Sequence, residues 1–311
     1  MNFTQSQVRP GSHCLRSVLI ASLLCLTCAV PVLAAGTLDK ARESGKLSFG
    51  YRTDTRPFSY TDESGKPAGF SVALCQKVAD AVKAELKLPA LAIDFVPVSA
   101  ATRFDALQKG QIDLLCGTAT PTLERRAVVD FSIPIFNAGI GAVMRADGDR
   151  RLRDALASRP DPAKPVWRAA PGLFTEKVVF AVVGGTTIEK SLIEALKARR
   201  IEVTVAPAAD YKAGLQMVLD GRAAAMFGDR PVLLDSAARA AAGELLVIER
   251  SFTRESFALA LRRGDDDFGL LVDRSLSRLF RSQEMAPLYT RYFGAPASGT
   301  LEFFQSVALP D

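Results

Sequence analysis

The chain has 311 residues, 39 Lys and Arg against 34 Asp and Glu, a formal net charge of +5, five cysteines and one histidine. Its charges are interspersed, with no basic tract to grip a nucleic acid and no repeat or low-complexity run.

Residues 1–34 read as a secretory signal peptide. Arg9 and Arg16 precede an apolar stretch from Val18 to Leu33, and Val32-Leu33-Ala34 supplies the small-residue ending before Ala35. The stretch is short for a membrane anchor and is broken by Pro31; no later segment is apolar and long enough to span a bilayer. Neither Ser22-Leu23-Leu24 before Cys25 nor Cys25-Leu26-Thr27 before Cys28 makes a lipobox. Cleavage removes Cys14, Cys25, Cys28 and His13, and brings the net charge to about +3. A mature chain without histidine cannot run Ser-His-Asp or Cys-His catalysis, nor ligate a metal through imidazole, and no cofactor or metal is expected. Cys75 and Cys116 remain, bound for an oxidising compartment. Sequence leaves open whether they form a disulfide or two separately buried thiols.

About 275 residues remain, enough for two packed lobes. Strand-like and helix-like patterns alternate, which predicts an α/β fold with largely parallel sheets. Leu47 to Arg52 alternates as a strand, and a turn follows at Asp62-Glu63-Ser64-Gly65. Phe70 to Leu86 is an amphipathic helix with Val72, Cys75, Val78, Ala79 and Val82 on one stripe. Leu91 to Val98 is the next strand, and Thr102 is placed to cap a helix that stops at Gly110. Ile112 to Cys116 is a short apolar strand leading into the polar loop Gly117 to Thr122. A second unit begins near Val178, with a strand over Val179 to Val183 and a capping box at Thr186 and Glu189. Val203 to Ala206 and Ala223 to Phe227 are strands around a helix from Tyr211 to Leu219. Glu255 to Arg262 is a strand; Phe268 to Leu279 and Gln283 to Tyr292 are closing helices. Arg150 to Phe174, rich in Pro, Ala and Arg, reads as an irregular surface insertion.

A zwitterionic amino acid needs a cation for its carboxylate and an anion for its ammonium, and the planar fork of arginine suits the first task. The loop Cys116-Gly117-Thr118-Ala119-Thr120-Pro121-Thr122 precedes a short helix carrying Arg125. Gly185-Thr186-Thr187 opens a helix whose N–H groups and dipole attract an anion. Asp229 follows an apolar strand, at the carboxyl end where α/β sheets bind ligands. Each signal alone is also that of a surface arginine, an ordinary cap or a loop aspartate.

Their order is more specific. Pro57-Phe58, Gly65-Lys66, Gly69-Phe70-Ser71-Val72, Leu74, Arg103, Gly110 and Ile112-Asp113 are followed by Thr120, Thr122, Glu124-Arg125 and Val129-Asp130-Phe131-Ser132. Gly185-Thr186-Thr187, Gly221-Arg222, Asp229 and Tyr292-Phe293-Gly294 complete a series that resembles the family 3 extracellular solute-binding proteins across the mature chain. The resemblance implies a two-lobed, type II periplasmic-binding-protein-like fold with two hinge strands. Lobe 1 would span 35–143 and 256–311, and lobe 2 would span 144–255. It implies a periplasmic monomer that binds a free amino acid and meets the membrane permease of an ABC transporter. Carried over by position, Arg125 would hold the α-carboxylate with Thr120 and the Thr186-Thr187 backbone, while Asp229 and the Thr118 carbonyl would hold the α-ammonium. Arg52 and Arg103 fall where the glutamate/aspartate-binding branch places its side-chain-carboxylate ligands. Tyr211 stands where that branch carries a histidine, a departure that leaves glutamine or another polar amino acid as the alternative. The residues by themselves also allow Arg52 to be a rim residue paired with Asp54, and Arg103 a helix start facing solvent. A cyclohexadienyl-dehydratase-like enzyme and a soluble sensor domain are the competing functions for this fold.

Overall fold

The computed structural model describes Met1 and residues 36–158 and 178–310; residues 2–34 of the expected signal segment and residues 159–174 of the insertion lie outside these. The compact unit from Gly36 onward opens with α1 (Thr37–Ser44) and β1 (Lys46–Arg52). A small antiparallel sheet follows, of β2 (Asp54–Thr55), β3 (Ser59–Thr61) and β4 (Pro67–Ala68). Then come α2 (Phe70–Leu86), β5 (Ala92–Val98), α3 (Arg103–Gln108), β6 (Leu114–Cys116), α4 (Leu123–Arg126) and β7 (Val129–Ala138).

After Gly139 the chain enters a second sheet with β8 (Ile140–Arg145), α5 (Arg150–Ala157), β9 (Val179–Val183), α6 (Thr187–Arg199) and β10 (Thr204–Ala208). This part continues with α7 (Tyr211–Leu219), β11 (Ala225–Asp229), α8 (Arg230–Arg239) and β12 (Leu245–Val247). β13 (Glu255–Arg262) returns to the first sheet, and α9 (Asp266–Arg281), α10 (Met285–Phe293) and α11 (Thr300–Val307) close the chain. Among the described residues, no helix is long and apolar enough to cross a membrane.

The first sheet has the order β5-β1-β6-β13-β7 and the second β10-β9-β11-β8-β12. In each, three strands run parallel, and the strand that has just crossed from the other lobe pairs antiparallel beside them. The fold is therefore two α/β lobes sharing two crossing segments. At Gly139 these segments are in contact: a Cβ there would lie 2.3 Å from Ser251 Oγ and 2.4 Å from the Thr253 carbonyl oxygen. Sheet membership changes at Gly139 and at Glu255, so the boundary expected at 143/144 falls inside β8. The strands β7 and β8 are absent from the sequence reading because burial on both faces removes alternation. Pro134 also interrupts the run, at a point where the pairing with β13 is irregular.

Edge-to-face aromatic pairs hold the crossing strands of lobe 1 against the helices. Phe58 meets Phe136 at 4.8 Å and Phe257 at 5.3 Å between ring centroids, and Phe70 meets Phe293 at 5.3 Å. Such pairs contribute about 0.5–1.5 kcal/mol each beyond the burial of their area. The second core gathers Ile140, Phe180, Ile188, Phe227 and Ile248.

Three local expectations change. Arg150–Ala157 is helical: Asp149 accepts the Arg151 N–H at 2.8 Å, and Leu152 and Leu156, four apart, are buried. Thr102 is the N-cap residue of α3, but its side chain makes no cap bond; its hydroxyl accepts the Ser99 N–H at 3.1 Å, and the Ser99 hydroxyl accepts the Thr102 N–H at 3.2 Å. Thr186 does accept the Glu189 N–H, but the Glu189 carboxylate reaches the N–H of Gly185. Cys75 on α2 and Cys116 at the end of β6 form a disulfide with Cα atoms 6.0 Å apart.

Candidate functional site

The residues singled out from sequence are each delivered by the carboxyl end of a strand or the turn after it; Thr120, Arg125, Thr186 and Thr187 line the cavity between the lobes, and the charges of Arg52, Arg103 and Asp229 act on one another. Arg52 ends β1, Arg103 opens α3 after β5, and Thr118, Thr120 and Arg125 follow β6. From the other lobe, Thr186 and Thr187 follow β9, and Asp229 is the last residue of β11. Ligands enter α/β folds at this strand end.

Arg52 is buried, so it is not a rim residue, and it is paired with Asp54. Its Nε donates to Oδ1 at 2.7 Å and its Nη2 to Oδ2 at 2.6 Å. The same Asp54 Oδ2 accepts the backbone N–H of Tyr211 at 3.1 Å, tying lobe 1 to the first turn of α7 in lobe 2. Tyr211 is buried too, and its hydroxyl accepts the N–H of Asp229 at 2.7 Å. Burial and the Asp229 charge raise its phenol well above the ordinary range.

Arg103 does not face solvent: 2% of its surface is exposed. Its Nε and Nη1 have no hydrogen-bond partner among the described residues. Desolvation, then repulsion from Arg125 and Arg52, pushes its guanidinium down to about 9. Such donors in a low-dielectric site are costly until an acceptor reaches them. Arg125 donates from Nη1 to the Thr120 carbonyl at 2.8 Å, and burial lowers its pKa. Both guanidinium carbons lie over the Phe104 ring, at 4.5 Å for Arg103 and 4.9 Å for Arg125. The aromatic ring places two cations side by side without neutralising either.

The anionic side is formed by Asp229 and Glu255. Burial raises the Asp229 carboxyl to about 6, although Tyr211, Arg52 and Arg103 pull it the other way. Glu255 went unrecognised in the sequence, where it reads as the first residue of a strand. Its carboxylate accepts from Thr120 Oγ1 at 3.0 Å, Thr187 Oγ1 at 3.4 Å and Thr253 Oγ1 at 3.3 Å. The only signal available beforehand was a carboxylate at the edge of an apolar run. Thr118 is buried in the loop whose Ala119 carbonyl accepts the Ala258 N–H of β13 at 2.9 Å. A cavity of about 590 Å³ opens between the lobes, lined by Thr120, Arg125, Thr186, Thr187, Lys190 and Glu255 among others. Its volume lies within the usual range of small-molecule sites. Across its mouth Lys190 pairs with Glu124 at 2.8 Å, and Arg56 faces Asp235 at 3.5 Å, so the lobes stand closed on one another.

Two α/β lobes with crossed strands and a charged cleft between them define a two-lobed binding protein of type II topology. The chain belongs to the bacterial extracellular solute-binding proteins, family 3, whose profile matches residues 47–295. It is 31% identical over 297 residues to the L-glutamate/L-aspartate-binding protein of Pseudomonas aeruginosa, covering 93% of this chain and 90% of that one. It is 27% identical to the glutamate/aspartate import solute-binding protein of Escherichia coli, covering 93% and 89% respectively. Among solved structures, an ancestral amino acid-binding protein, a precursor of cyclohexadienyl dehydratase, superposes with a TM-score of 0.65 at 28% identity, covering 83% of this chain and all of that one. An arginine-binding protein from T. maritima superposes at 0.68 with 23% identity, covering 83% and 99%, a likeness of fold.

Proposed function

We propose that this protein is the periplasmic solute-binding component of an amino-acid ABC transporter and that its ligand is an acidic amino acid, glutamate or aspartate. The observation that carries the reading is the buried guanidinium of Arg103, whose Nε and Nη1 have no hydrogen-bond partner among the described residues and whose charge acts on Arg125 and Asp229, the pair suited to a zwitterion. Arg125 is the clamp for the α-carboxylate, supported by the N–H groups at Thr186 and Thr187. Asp229, with the Thr118 carbonyl, takes the α-ammonium. Arg52 is neutralised by Asp54, which leaves Arg103 as the cation that calls for a second carboxylate. In this reading Arg52 acts mainly by holding Asp54 and repelling Arg103. The glutamate/aspartate names of the relatives from P. aeruginosa and E. coli support the same ligand class. Export by cleavage of residues 1–34, a monomeric state and docking of the closed lobes on a membrane permease complete the reading. Calorimetry with a panel of free amino acids tests it: glutamate or aspartate should bind most tightly, and binding of none would sink it.

One observation favours a second reading, an enzyme of the cyclohexadienyl-dehydratase kind. The buried Asp229 carboxyl, raised to about 6, has the poise of an acid/base group near neutral pH. Incubation with prephenate and arogenate decides it, because a receptor leaves both unchanged.

A further inference from the structure

Glu255 stands where the chain returns from lobe 2 to lobe 1, and its carboxylate gathers hydroxyls from three segments. Thr120 belongs to the lobe 1 loop, Thr187 to the start of α6 in lobe 2, and Thr253 to the crossing itself. An ionised carboxylate is an acceptor only, and a threonine hydroxyl has one proton to give. The hydroxyl protons of Thr120 and Thr187 are therefore committed to Glu255 Oε2, and only oxygen lone pairs are left for a ligand. Those lone pairs accept from an ammonium and repel a carboxylate. The charges nearby point the same way, since Glu255 and Asp229 act on each other and Glu255 also acts on Arg125.

We propose that Glu255 is a positioning residue that makes this cleft selective for ligands bearing a primary ammonium group, by holding the Thr120 and Thr187 hydroxyls in their accepting orientation. The proposal rests on the amino-acid reading above and deepens it. It also gives Thr120 a task other than the carboxylate contact expected from sequence. The α-carboxylate is then left to Arg125 and to the N–H groups at the start of α6.

The test is calorimetry on the mature chain with two matched pairs, L-glutamate against glutarate and L-glutamine against glutaramate, which differ within each pair by the α-amino group. Wild type should favour the amine-bearing member by ~100-fold or more, as sites with committed polar groups do. Glu255→Gln should weaken the amine-bearing member by roughly tenfold or more while leaving its amine-free partner within about threefold. Glu255→Asp should recover part of the difference. Thr120→Val, which removes one accepting oxygen and keeps the carboxylate, should lower the same ratio and stands in if Glu255→Gln fails to fold. An equal loss for both members would mark Glu255 as a scaffold residue and overturn the proposal. An unchanged ratio would overturn it as well, and so would a uniform gain, which would make Glu255 a competitor for Arg125. No binding of any of the four by wild type would remove the amino-acid reading itself.

Discussion

Arg52 and Asp54, two residues apart in sequence, form a bidentate ion pair with side chains 3% and 12% exposed, and Asp54 also caps the Tyr211 N–H across the cleft. The pair joins the lobes and cancels one cation of the site, which makes Arg103 and Arg52 unequal although sequence assigns them the same task.

Replacing Arg103 by Met should cost glutamate and aspartate about 2–5 kcal/mol of binding free energy, the range for losing one partner of a buried charge pair. Glutamine should lose much less, and the empty protein should melt no lower, because a desolvated cation with free donors disappears. Isothermal titration beside thermal melts reads both; equal losses for glutamate and glutamine would contradict the assignment.

Arg52→Ala acts differently, because it strands the Asp54 carboxylate. The expected result is a folded-state loss of about 3 kcal/mol or more, partly restored by the double change Arg52→Ala with Asp54→Ala. Chemical denaturation of the three variants measures it, and additive losses would show that the two residues are not coupled.

Asp229 sets the pH dependence. Its folded carboxyl lies near 6 against 3.8 for the free side chain, so the empty folded form holds this proton more tightly than the unfolded chain. The sign follows: stability of the empty protein falls as pH rises from about 4 to about 6, by roughly 3 kcal/mol from this group. An ammonium beside Asp229 favours the charged form, so amino-acid affinity should climb as pH rises towards 6 and level off above it. Titrations between pH 4.5 and pH 8 with Asp229→Asn as control test this, since the variant should bind weakly with no such climb.

The Cys75–Cys116 bridge closes a sequence separation of 41 residues. Loop-closure entropy alone then contributes about 4 kcal/mol. Cys75→Ser with Cys116→Ser should lower the denaturation midpoint accordingly while ligand affinity at low temperature stays near wild type. Both half-cystines are buried, Cys75 on α2 and Cys116 as the last residue of β6, so the bridge is out of reach of solvent.

What the sequence determined by itself was the part governed by local rules. Hydrophobic period and turn chemistry placed α2, β9, α7 and β13 with the bounds observed, because each element carries its own apolar stripe or run. Charge chemistry at strand ends, together with the family resemblance, picked out Arg52, Arg103, Arg125 and Asp229, and folding brings their charges within reach of one another. Tertiary structure alone decided how those charges are divided. Whether a guanidinium is neutralised, as Arg52 is by Asp54, or left with open donors, as Arg103 is, depends on distances between side chains that no spacing encodes. The same holds for Glu255, whose three hydroxyl partners come from segments 135, 68 and 2 residues away. The buried β7 and β8 run and the disulfide were likewise matters of packing, since burial on both faces erases periodicity and a bridge needs geometry that sequence does not supply.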